Sequence, residues 1–177
     1  QTIHDLQASG KIKHLGVSNM HGHQIAFLQS ALDTPIVANQ LEMSLAFRDW
    51  VEDGITTNSA HNRNMGYAPG TIEHCMLNKV QLQAWGSLAQ GRYTGGKAEF
   101  EEDVATAALV TKLAAEYGVS PEAIVLGWLM RHPAGIQPVI GTTNLQRIRQ
   151  CTETTNVTLS REHWYALLES ARGSDVP

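Results

Sequence analysis

Gly10-Lys11-Ile12-Lys13-His14-Leu15-Gly16-Val17-Ser18-Asn19-Met20 reads as the close of one helix, a short strand and the approach to a second helix. Ile3 to Ser9 is helical in character, and Gly10 stands where a left-handed residue closes a helix. Ile12 to Val17 is then expected as a strand. Ser18 and Asn19 turn the chain toward a helix over His23 to Leu32, where Ile25, Phe27, Leu28 and Leu32 recur at near-helical spacing. Parallel α/β folds place ligands at the carboxyl ends of their strands, so a hydroxyl and an amide at this position are candidate binding groups.

Three further units of this kind follow. Pro35 breaks the helix, and Ile36-Val37-Ala38-Asn39-Gln40-Leu41-Glu42 is a strand ending in an amide. Leu45 to Gly70 is irregular, with a helical turn at Asp49 to Glu52 and a polar run from Asn58 whose Asn62, Asn64, Gly66, Pro69 and Gly70 favour turns. Thr71 to Lys79 reads as a helix and Val80 to Trp85 as a strand. A Gly- and Lys-containing loop, Gly91 to Glu99, leads to a helix over Phe100 to Tyr117, stopped by Gly118. Ser120-Pro121-Glu122 combines an N-cap, a proline at the first helical position and an acid in the first turn. The helix it opens runs to about Arg131 and is apolar nearly all round. Ile136 to Ile140 is the last strand, Thr143 to Thr152 a helix, and Ser160 caps a final helix to about Ala171.

Strands alternating with helices give a parallel sheet with right-handed crossovers. The expected fold is α/β: four parallel βα units, a partial (β/α)8 barrel of half size with a C-terminal helix, in one domain over residues 1–177. A complete barrel takes ~250 residues. Edge strands Lys13 to Val17 and Gln137 to Ile140 are then left open, and an apolar inner face is expected between them.

Composition narrows the function. Net charge is −4, and the Lys and Arg residues are dispersed, so nothing favours nucleic acid or an anionic membrane. No apolar run approaches the ~18 residues of a membrane span. Cys75 and Cys151 lie far apart and are expected as free thiols in a reducing, cytoplasmic setting. The pair His21-Gly22-His23, with His61 and His74, finds no further ligand at metal spacing. Gly86-Ser87 lacks the flanking residues of a nucleophile elbow.

Taken together, Gly16-Val17-Ser18-Asn19, Asn39-Gln40-Leu41-Glu42, Ala84-Trp85-Gly86-Ser87-Leu88-Ala89-Gln90-Gly91-Arg92 and Gly141-Thr142-Thr143-Asn144-Leu145-Gln146-Arg147 resemble, in order and spacing, the fifth to eighth strand ends of the aldo-keto reductases. That family consists of NADPH-dependent (β/α)8 barrels, and the resemblance runs from about Ile3 to about Ser170. It implies that Ser18, Asn19 and Gln40 hold the nicotinamide carboxamide and that Trp85 stacks on the ring. It implies that the loop of Gly86, Ser87, Leu88, Gln90, Gly91 and Arg92 cradles the pyrophosphate. Gly141, Thr142, Thr143 and Asn144 border the phosphates at a helix start, Arg147 binds the 2′-phosphate, and Gln150 and Cys151 border the adenine. Gly86-Ser87-Leu88-Ala89 departs from the family's Ser-Pro-Leu-Gly wording, and Gly141 replaces its usual lysine, removing one phosphate charge.

Each group also has a plainer reading. Ser18 and Asn19 can cap a helix, Gln40 can be a loop amide, and Trp85 can be core. The loop after Trp85 can be an ordinary connection, and Arg147 can be solvated on a capped surface helix.

The family's catalytic Asp, Tyr, Lys and His sit at its first four strand ends, which would precede Gln1. The chain is therefore expected to be the cofactor-binding half of an enzyme that reduces aldehydes or ketones with NADPH, binding weakly at best and not turning over by itself. An upstream reading frame of ~110–130 residues holding the four would support this. The alternative is a non-catalytic nucleotide-binding or self-associating half-barrel. Expected partners are a small carbonyl substrate in the intact family and, for the open edges, a second copy or the missing amino-terminal half. Trp50, Met65 and Tyr67 in the irregular segment are its expected contribution to the substrate pocket.

Overall fold

The computed structural model describes residues 2–60, 65–98 and 100–177. The elements run α1 (Thr2–Ala8), β1 (Leu15–Ser18), α2 (Gly22–Gln29), β2 (Ile36–Glu42), α3 (Asp49–Thr56), α4 (Thr71–Leu77), β3 (Gln81–Trp85), α5 (Glu101–Tyr117), α6 (Pro121–Met130), β4 (Gln137–Pro138), α7 (Leu145–Thr152) and α8 (Arg161–Arg172). The four strands form one sheet in the order β1-β2-β3-β4, and every neighbouring pair is parallel. This is the expected half-barrel order.

Alternation in the strands separates two faces. Val17, Leu41, Leu82 and Ala84 turn toward the helices, where a continuous apolar core includes Ile25, Met43, Leu113, Ile124, Leu129 and Leu168. α6 explains its apolar surround by position: it packs against α5, α7 and β4, so almost every side is covered. Ser120 occupies its N-cap, but the hydroxyl donates to the Gln150 carbonyl at 3.0 Å instead of capping. Trp128 stacks on Trp164 of α8 at 5.2 Å. Each indole N–H donates to the other residue's carbonyl, at 3.1 and 2.9 Å, so two buried donors are satisfied reciprocally.

The opposite, concave face corrects one expectation. It is not apolar. Ser18, Gln40, Gln83 and Gln137 are register partners in succession across all four strands. Polar residues at every second position on β2 and β3 produce this row, because side chains two apart share a face.

The outer strands are shorter than expected. β1 starts at Leu15 because the polar Lys13-His14 pair stays exposed and the ladder is irregular between Leu15 and Gly16. β4 shrinks to two residues; Pro138 has no N–H to continue it, and only the Val139 N–H follows, donating to the Ala84 carbonyl at 2.9 Å. The helical turn at Asp49 extends into a full helix, α3, which buries Trp50 and Val51. Asn62 and Asn64, like His61, lie outside the described residues.

Both cysteines are free and buried. Burial pushes the Cys75 thiol up, against a smaller opposing effect from Asn39. Among the described residues no helix is long and apolar enough to cross a membrane.

Candidate functional site

The carboxyl ends of β1, β2 and β3 are bound together by two side-chain amides. Asn19, just past β1, takes a left-handed φ of 54°, which asparagine tolerates better than most residues. This turn brings the chain off the strand. The Asn19 backbone N–H and the Ser18 hydroxyl both donate to the Gln40 carbonyl, at 2.9 and 3.0 Å. The Asn19 Oδ1 accepts from Trp85 Nε1 at 3.1 Å, so β1 is tied to β3 across the end of β2.

Gln40 is held from the other side. Its Nε2 donates to Gln83 Oε1 at 3.1 Å, and Gln83 Nε2 donates to Gln137 Oε1 at 3.3 Å. A carboxamide has both a donor and an acceptor end. In Asn19 the acceptor is committed to the indole, which leaves Nδ2 as the group to offer. In Gln40 one of the two Nε2 hydrogens goes to Gln83, which orients the amide and leaves Oε1 open to accept. One amide donor and one amide acceptor therefore stand at adjoining strand ends.

Trp85 is a wall shared by three cavities. The first, about 380 Å³, is lined by Asn19, Met20, His21, Glu42, Trp50, Tyr67 and neighbours. It thus draws on the irregular 45–70 segment through Trp50 and Tyr67, while Met65 is not among its lining residues. Burial raises the Tyr67 phenol far above its ordinary value, with Cys75, Glu73 and Asp53 adding to the shift. His21 serves as the cap of α2: its Nδ1 accepts the Gln24 N–H at 3.3 Å while Gln24 Oε1 accepts the His21 N–H at 3.0 Å. Among the described residues no three His, Cys, Asp or Glu side chains gather as a metal site.

The second cavity, about 460 Å³, is lined by Trp85, Gly86, Ser87, Leu88, Gln90, Gly91, Val139, Gly141, Thr142 and Arg147. Its loop winds tightly, with positive φ at Gly86, Ala89, Gln90 and Gly91. Gly91, at φ 86°, also lets Arg147 approach closely, since a Cβ there would stand 3.2 Å from its guanidinium. Ser87 is buried, and its hydroxyl donates to the Val139 carbonyl at 3.0 Å, pinning the loop to the strand beside it. Arg147 Nε lies 4.0 Å from the buried Glu122 carboxylate, an interaction that leaves the guanidinium nearly half exposed at the cavity edge.

Thr142, Thr143 and Asn144 gather at the start of α7. Asn144 caps α7: its Oδ1 accepts the N–H groups of Gln146 and Arg147 at 2.9 and 3.2 Å, so two of the helix-start donors are already occupied. Thr142 Oγ1 accepts the Asn144 N–H at 3.2 Å, and Thr143 is exposed beside it. Gln150 uses its carbonyl to hold Ser120. Cys151 is buried beneath, and burial, then Glu122, push its thiol up against the opposing pull of Arg147. Arg92 turns toward α5, its Nη1 3.7 Å from Asp103, and lines a third cavity with Lys97 and Phe100.

Glu42 was not singled out by sequence reasoning. It pairs with Trp85 across the ladder and borders both the first and the third cavity. Strand period was the available signal: two residues beyond Gln40, it must share the concave face. Gln83 and Gln137 were missed for the same reason.

The model of the aldo/keto reductase family matches residues 1–172. The chain is 35% identical over 176 residues to a 6-dehydroglucose reductase of Agrobacterium fabrum, covering 97% of this chain and 50% of that protein. A 6-dehydroglucose reductase of Novosphingobium aromaticivorans is 32% identical, with 100% of this chain and 52% of the relative covered. The chain thus spans about half the length of the curated relatives it matches. In fold it is similar to the thermostable aldo-keto reductase Tm1743, solved with the inhibitor epalrestat, with a TM-score of 0.72, 22% identity, and 95% of this chain and 52% of that one covered.

Proposed function

The chain belongs to the aldo/keto reductase family, and from that premise we propose that it forms the cofactor-orienting half of an NADPH-dependent carbonyl reductase. The observation that carries this reading is the complementary pair at the strand ends, Asn19 Nδ2 as donor and Gln40 Oε1 as acceptor. A primary carboxamide such as that of nicotinamide needs one of each. Trp85, anchored by Asn19, offers an indole face against which a flat ring can stack. The loop from Gly86 to Gly91 offers backbone to a pyrophosphate, and Arg147 a guanidinium to the 2′-phosphate.

Bound reduced nicotinamide supplies a hydride to a carbonyl carbon. The residues of this chain bind and orient: Asn19 and Gln40 set which ring face is presented, and Trp85 sets the plane. Such positioning accelerates the reaction only beside a proton donor. No residue of the chain is assigned that role, so the proposal places the donor on the other half of a barrel. We propose also that the concave face and open strand edges are covered by that half or by a second copy. If a second copy covers them, light scattering should give at least twice the chain mass for the purified protein, and a stable monomer would contradict that arm and leave the other half as the cover.

Titration of NADPH and NADH, followed by tryptophan fluorescence, tests the cofactor reading. Arg147→Ala should weaken NADPH binding by roughly tenfold, the scale of a lost charge-assisted phosphate contact, and leave NADH nearly unchanged. Equal losses for both would contradict the assignment of Arg147.

A further inference from the structure

The concave row of amides has a direction. Gln40 donates to Gln83, and Gln83 donates to Gln137. Free carboxamides can rotate to exchange donor and acceptor ends. Gln40 is constrained because the neighbour in its ladder register accepts, and that neighbour accepts because its own N–H group is taken further along. Gln83 lies on the central strand β3, is half-buried, and lines neither the cavity of Asn19 nor that of Arg147.

We infer that Gln83 is a positioning residue for the nicotinamide carboxamide. By accepting from Gln40 Nε2 it fixes the orientation of that amide and leaves Oε1 open to accept, as the bond from Trp85 fixes Asn19 and leaves Nδ2 open to donate. The inference rests on the cofactor reading above and deepens it. The pair recognises a primary amide only while both ends are fixed. A freely turning Gln40 would present two donors or a mixture, and part of the binding free energy would go into ordering it. Gln137 supports Gln83 in the same sense.

Calorimetric titration of the 177-residue chain with NADPH and with 2′,5′-ADP, which lacks the nicotinamide, tests this. Gln83→Leu should weaken NADPH about tenfold, the worth of one well-placed hydrogen bond, and leave 2′,5′-ADP within about twofold of wild type. Gln83→Glu keeps an acceptor for Gln40 Nε2 and should restore NADPH binding to near the wild-type value. A merely structural role would lower both ligands together, and this result would overturn the inference. So would NADPH binding by Gln83→Leu as tight as by wild type, with the cofactor reading left intact. If the wild-type chain binds neither ligand, the cofactor reading falls and the inference falls with it.

Discussion

Side chains at this rim do their work by limiting one another. Asn19, Trp85, Gln40 and Gln83 each give up one hydrogen-bonding capacity to a neighbour, and what is left over defines the site. The residue types at Ser18, Asn19, Gln40 and Trp85 were legible from the sequence, because strand ends can be located by period and turn chemistry. Their mutual bonds were not, because residues 43 and 66 positions apart meet only through the sheet register. Arg92 has a partner of its own, its Nη1 standing 3.7 Å from the Asp103 carboxylate. The Tyr93 phenol lies in the same neighbourhood, and burial together with Asp103 pushes it up to about 12. The folded state therefore keeps its proton where the unfolded chain, with a phenol near 10, has lost it. Stability should fall as pH rises from about 10 to 12, by about 2–3 kcal/mol from this residue. Chemical denaturation over that range should show a shallower decline for Tyr93→Phe. An equally steep decline would rule out Tyr93 as the source.

At the scale of elements, the helices were the more legible part. Pro121 at the start of α6, Gly118 at the end of α5 and Ser160 before α8 mark boundaries through local chemistry alone. β4 and α3 were harder. β4 is cut short by a proline in the edge strand, and α3 gains its length from tertiary contacts rather than helix signals. Glu52 of α3 stands between two arginines, 2.7 Å from Arg48 Nε and 3.1 Å from Arg172 Nε at the end of α8. The carboxylate is buried, so its loss leaves two guanidinium groups facing each other out of bulk water. Glu52→Gln should cost about 3 kcal/mol in urea unfolding. A cost below about 1 kcal/mol would mean that α3 is held by Trp50 and Val51 without the ion pairs.

At the scale of the whole chain the described residues form a four-stranded parallel sheet backed by helices, which alternation of strand and helix and the family resemblance both carried. What the pattern did not convey is the polarity of its concave face. Apolar filling is the rule inside (β/α)8 barrels, but here the polar row Ser18-Gln40-Gln83-Gln137 runs across all four strands. A polar layer of this kind costs less in contact with water than an apolar one. The central claim is that Asn19 and Gln40 jointly receive a nicotinamide carboxamide. Side-chain amide signals in ¹⁵N-labelled protein report on it most directly. Addition of NADPH should shift the resonances of Asn19 and Gln40, whereas 2′,5′-ADP should leave both in place. Saturation with NADPH that moves neither signal would contradict the account.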